Sequence, residues 1–178
     1  MSSKFEYKLV ITENGKEVLS KVLSYTAVSD ILSNTGDSKD NVDLFTWAAS
    51  HPASAVREYV ASKDNLPESL VKKLSADKSI DVLRRLVNSK TYKEHASLDE
   101  LEKLLSLDIE IAKSIASDIE SFSEADTNKL CTIVAAHSDP SVVAILAGHY
   151  STPKKILKSL LTHADPYVVS EAKGRLED

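Results

Sequence analysis

Val56 to Leu86 reads VREYVASKDNLPESLVKKLSADKSIDVLRRL, and a gapless shift of 86 residues lays it on Val142 to Ala172, VVAILAGHYSTPKKILKSLLTHADPYVVSEA. Val56 falls on Val142, Val60 on Leu146, Ala61 on Ala147, Pro67 on Pro153, Leu70 on Ile156, Val71 on Leu157, Leu74 on Leu160 and Val82 on Val168. The apolar and punctuation positions agree while the polar ones vary. Selection for packing leaves that pattern, and selection for a shared reaction does not.

A shorter period runs inside this one. HSDPSVVAILA from His137 and HADPYVVSEAK from His163 match at a shift of 26 residues. One phase of the repeat holds His51, Asp77, Asp108, His137 and His163, at spacings of 26, 31, 29 and 26. Each unit reads as a short helix, a Pro- or Ser-headed break and a second short helix. Neither helix can bury its apolar stripe alone, so successive units must stack. The fold expected is mainly α, an α-helical repeat solenoid of nine or ten short helices behind an N-terminal β-hairpin.

The pattern His51-Pro52, Val56-Arg57, Val60-Ala61, followed by Asn65-Leu66-Pro67, Leu70 and Leu74, resembles the leucine-rich repeat variant and, more broadly, HEAT-like helical repeats. The resemblance covers roughly 43–176. It implies a helical superhelix and leaves function open, because such repeats serve many unrelated tasks. Two departures follow. Cys131 is the only cysteine, so an N-terminal iron–sulfur cysteine cluster of the variant-repeat kind has no counterpart. Leu83, Val143 and Val169 stand where Arg57 stands, so a continuous arginine ladder is not expected.

Before the repeats, Phe5, Tyr7, Leu9 and Ile11 alternate with polar residues except at Val10, and Asn14-Gly15 is a strong hairpin turn signal. A two-residue turn there pairs Ile11 with Val18, Leu9 with Ser20 and Tyr7 with Val22. A rival reading makes 17–25 helical. The hairpin's apolar face is expected to pack on the first helices, so that 1–33 caps the stack and 41–178 forms the repeat domain as a single compact unit. A short helix is read at 26–33, a polar, flexible loop at 34–40, and a helix at 41–50 with Trp47 as a core or interface anchor. Asp139, Thr152 and Asp165 precede Pro140, Pro153 and Pro166 as N-caps, and Ser97/Glu100 and Ser123/Asp126 read as capping boxes.

The chemistry-bearing residues do not converge. Stacking would leave His137 and His163 one helix spacing apart, ~8–10 Å, too far to share an ion. These histidines read instead as caps on the free carbonyls at helix ends. Cys131 has no histidine within reach, and no phosphate loop, nucleophile elbow, HExxH or CxxC occurs. No catalytic residue, metal site or cofactor is expected, and the protein reads as no enzyme.

The candidate interaction surface is basic. Lys72 and Lys158 share a phase, and Lys72, Lys73, Arg84, Arg85, Lys154, Lys155 and Lys158 would form a ridge if their helices align. Glu68 stands where Lys154 does and Glu171 where Arg85 does. A net charge of −5 and 6% aromatic residues disfavour general nucleic-acid binding. The lack of a long apolar run gives no membrane segment, and a lone cysteine suits the cytoplasm. The reading is a non-enzymatic scaffold or adaptor that binds a protein partner on its repeat surface. Two alternatives stand beside it: an assembly component that pairs through the hairpin edge, and a binder of nucleic-acid phosphates along the ridge.

Overall fold

The computed structural model describes residues 6–177. It is mainly helical, with one two-stranded antiparallel hairpin at its N-terminal side. The hairpin joins β1 (Tyr7–Glu13) to β2 (Lys16–Leu23). Asn14 and Gly15 both take positive φ, 50° and 75°, which is the turn that matches strand twist and that Asn-Gly favours. So 17–23 is strand, and a helix begins only at Tyr25.

The register differs from the expected one by one residue. Glu13 pairs with Lys16 and Thr12 with Glu17, but Ile11 then pairs with Leu19, Leu9 with Lys21 and Tyr7 with Leu23. Val18 is the extra residue of a β-bulge. The regular register would have placed Leu19 and Leu23 on the face opposite Tyr7. The bulge brings both leucines round to the side of Tyr7, Leu9 and Ile11 and turns Val22 to the opposite face with Val10.

Twelve α-helices follow among the described residues: α1 Tyr25–Asn34, α2 Val42–Ala48, α3 Ser54–Ala61, α4 Glu68–Ser75, α5 Ile80–Leu86, α6 Lys90–His95, α7 Leu98–Leu105, α8 Ile109–Ser117, α9 Thr127–Ala135, α10 Pro140–Gly148, α11 Lys154–Leu160 and α12 Pro166–Glu177. This exceeds the nine or ten expected. α6 escapes a periodicity reading because its six residues bury only Thr91 and Tyr92. Ser97 and Glu100 form the full capping box of α7. The second box is absent: Asp126 is itself the N-cap of α9 and accepts the Lys129 N–H. Thr152 does not cap α11 either. Its hydroxyl turns back and donates to the Leu146 carbonyl of α10.

α1 packs on α3, α3 on α5, α5 on α8, α8 on α10 and α10 on α12. Behind them α4 meets α6, α7 meets α9 and α9 meets α11. Most of the positions matched by the 86-residue shift lie in the interior, with Pro67, Pro153 and Ile156 half-buried. Val56, Val60, Ala61, Leu70, Val71, Leu74 and Val82 are buried, as are Val142, Leu146, Ala147, Leu157, Leu160 and Val168. Each such leucine or valine is worth about 1.5–3 kcal/mol of transfer free energy. Val28 and Leu32 of α1 join the same core as the helices up to α10, and a second cluster around Val143, Leu157, Val168 and Ala172 finishes the C-terminal side.

The 34–40 loop is tied down at several points. Asp37 Oδ2 accepts the backbone N–H groups of Asp64 (2.6 Å) and Asn65 (2.9 Å), and Lys63 Nζ donates to the Thr35 carbonyl. A 3-10 turn, Lys39–Asn41, leads from it into α2.

The shared His/Asp phase has one structural job in common, and the helix-end carbonyl cap expected of histidine is added to it at His137. His51, His137 and His163 each accept, at Nδ1, the N–H of the residue two positions on, at 3.0 Å in all three. Asp77 and Asp108 do the same with Oδ1, accepting from Ser79 (2.9 Å) and Glu110 (3.1 Å). Nδ1 and Oδ1 are both bonded to Cγ, so imidazole and carboxylate put an acceptor in the same place. The histidine must then carry its proton on Nε2, and His137 spends it on the Leu105 carbonyl one unit back, at 3.1 Å.

Candidate interaction surface

The seven basic residues fall on three helices: Lys72 and Lys73 on α4, Arg84 and Arg85 on α5, and Lys154, Lys155 and Lys158 on α11. α4 packs on α5 and α6, whereas α11 packs on α9 and α12, so the two lysine groups sit on separate parts of the molecule. Helix phase alone had put Lys72 and Lys158 together.

Several of these charges are already engaged. Lys72 Nζ lies 2.6 Å from Glu68 Oε1, one helical turn back. That pairing raises the lysine pKa and lowers that of the glutamate. Lys73 donates to the Ser50 hydroxyl. Arg84 makes a two-point contact with Asp108, Nε to Oδ1 at 2.9 Å and Nη2 to Oδ2 at 2.7 Å, and also meets Asp81 at 3.4 Å. The Arg84 guanidinium holds the Asp108 carboxyl down to about 2. Among the described residues, Arg85, Lys154, Lys155 and Lys158 make no ion pair.

Arg85 is placed differently from the lysines. α3 and α5 pack side by side, and the outward residues of each wall a polar groove. One stretch of about 540 Å³ is lined by Glu58, Ser62, Asp81, Arg84, Arg85 and Asn88. The adjoining stretch, about 310 Å³, shares Glu58, Ser62 and Arg85 and continues past Tyr59 to Ser33 of α1. Asn88 is occupied with the Arg84 carbonyl and Arg84 with its aspartates. The side chains left to meet a ligand are Glu58 and Arg85, since the Ser62 hydroxyl donates to the Tyr59 carbonyl. Opposed charges that line the same groove suit the polar rim of a protein contact. Sequence inspection flagged Arg85 but missed Glu58, because nothing in the chain order puts α3 and α5 edge to edge.

Cys131 is fully buried on α9, and burial pushes its thiol up to about 11. His51 is buried and its pKa is lowered by desolvation, with the positive Arg57 nearby. Among the described residues no cluster of three or more His, Cys, Asp or Glu side chains could hold a metal ion, and no helix is long and apolar enough to cross a membrane. Compared with protein-family models, with curated proteins and with solved structures, the chain matches none.

Proposed function

We propose that this chain is a non-enzymatic helical-repeat module, akin to HEAT-like repeats and the leucine-rich repeat variant, that binds a protein partner and acts as a scaffold or adaptor. The succession α1, α3, α5, α8, α10, α12 supports the reading as one row of a superhelix, with α4, α6, α7, α9 and α11 as the other. The observation that carries the binding role is the groove between α3 and α5, where Arg85 and Glu58 reach solvent unpaired while the neighbouring Arg84 is committed to Asp108. Repeat proteins place recognition on such extended shared faces.

The test is capture of partners from a lysate of the native source on the immobilised full chain, with nuclease present, beside an Arg85→Glu/Glu58→Lys variant. A defined protein retained by the wild type and lost from the variant supports the reading. Retention by both would move the contact off the groove. Material that nuclease removes, and that Lys154→Glu/Lys158→Glu also loses, would favour phosphate binding instead.

A further inference from the structure

Among the described residues the hairpin packs on the helices through its base. Tyr7 packs edge-on against Tyr25 (5.8 Å) and Trp47 (5.6 Å) and lies 5.5 Å from His51, and Leu23 packs on the core beside it. The expectation that the whole apolar face lies on the first helices does not hold. Leu9, Ile11 and Leu19, on the Tyr7 face, remain 42%, 46% and 47% exposed, and the bulge residue Val18 56%. In the crook between hairpin base, α1 and α2 lies a cavity of about 360 Å³ whose mainly apolar lining includes Tyr7, Leu23, Ile31 and Trp47, with the Glu6–Lys8 ion pair on one side. Tyr25, Ile31 and Trp47 add exposed apolar surface at its rim.

We propose that these two features serve each other between two copies of the chain: the Leu9/Ile11/Leu19 face of each hairpin lies in the crook of the other, about a two-fold axis. An apolar arm and an apolar receptor on one molecule make a self-complementary pair, which a two-fold axis satisfies reciprocally and closes. The size fits. A cavity left by one leucine truncation is about 150 Å³, so the crook has room for about two aliphatic side chains. Burial of the exposed arm and rim side chains on both copies would bring the pair to the low end of the ~1,200–2,000 Å² of a specific interface.

Charge fits as well. The chain carries −5, but Glu6, Glu13 and Glu17 balance Lys8, Lys16 and Lys21 on the hairpin, so two arms approach without net repulsion. A free two-stranded hairpin is marginal in water, and docking would supply the third layer that it lacks. The contact uses neither α3 nor α5, so it is independent of the groove reading above.

Sedimentation of the full chain across low to high micromolar concentration tests the proposal. The expected result is a concentration-dependent dimer, lost in Leu9→Glu/Ile11→Glu with the helical circular dichroism unchanged, since both side chains are half exposed. Mixing Ile11→Cys with Ile31→Cys under mild oxidation should then give a cross-linked heterodimer, and Ile11→Cys with Lys158→Cys should not. A wild type that stays monomeric overturns the proposal, and some other partner then covers the arm. So does a dimer that survives the double glutamate, or cross-linking that the Lys158→Cys control matches.

Discussion

Arg57 of α3 grips Asp77, twenty positions on, through two parallel contacts: Nε to Oδ2 at 2.6 Å and Nη2 to Oδ1 at 2.8 Å. Its remaining nitrogen, Nη1, donates to the carbonyls of His51 (2.7 Å) and Pro52 (3.0 Å). Both side chains are largely buried, at 16% and 8% exposure. Arg84 repeats the grip on Asp108 one unit further along. Where histidine takes the Asp phase, at 137, no arginine reaches it, and the imidazole Nε2 makes the backward contact itself. The junctions at these three positions therefore come in two chemistries, Arg–Asp at 77 and 108 and histidine–carbonyl at 137.

Removing Arg57 alone should cost about 3 kcal/mol, because it leaves a half-buried carboxylate and two carbonyls without their donor. Arg57→Leu with Asp77→His, which imitates the downstream junction, should recover part of that loss. Urea unfolding of the single and double variants measures the coupling. Additive effects within experimental error would refute the idea of interchangeable junctions.

Acid should destabilise the fold in two stages. His51 has a lowered pKa, so its contribution is complete above its unfolded value of about 6.5 and fades as pH falls through the lower folded one. Asp77 and Asp108 are also lowered, the latter to about 2, so their contribution holds above about 4 and is lost as pH falls through the folded values. Asp108→Asn should flatten the lower limb of a stability–pH profile and leave the upper limb in place. An unchanged lower limb would rule Asp108 out as a source of the acid response.

Tyr92 is 1% exposed, and its buried hydroxyl meets no hydrogen-bond partner among the described residues. Burial raises its pKa, so the phenol stays neutral. Tyr92→Phe should be neutral or stabilising by up to about 1 kcal/mol, since it removes a desolvated polar group and keeps the ring. Tyr92→Ala should cost about 3–5 kcal/mol by opening a cavity. A marked loss of stability in the phenylalanine variant would mean that the hydroxyl has a partner after all.

Cys131 should resist alkylation at mildly alkaline pH while the chain is folded and react readily in denaturant, because only the thiolate attacks and burial holds the thiol near 11. Mass spectrometry after iodoacetamide treatment measures this directly. Rapid labelling of the native protein would show that α9 opens locally far more often than its packing suggests.

Much of the helical part was legible in order of position. The 86-residue match found the buried residues of α3, α4 and α5 and their counterparts in α10, α11 and α12, since burial tolerates only apolar side chains of similar size. Ser97 and Glu100 announced the start of α7, because a capping box satisfies local donors with local groups. α6 was not legible: too short for a period, it owes its place to Tyr92 and to contacts such as Thr91 with the Asp64 carbonyl, 27 positions away. Arg84 was read as a ridge residue because its partner, Asp108, is remote in sequence and adjacent only through packing.

By itself the sequence determined what depends on neighbours along the chain: the Asn14-Gly15 turn, the helix starts, the apolar phase and the acceptor at each unit's His/Asp position. Tertiary structure decided what depends on distance in space. It set which charges pair and which, like Arg85, stay free. It set a hairpin register in which Val18 bulges so that Leu19 and Leu23 join the Tyr7 face, and it left Leu9, Ile11 and Leu19 of that face half exposed. Backbone propensity acts over a few residues, whereas burial and ion pairing are settled only when helices many residues apart come into contact.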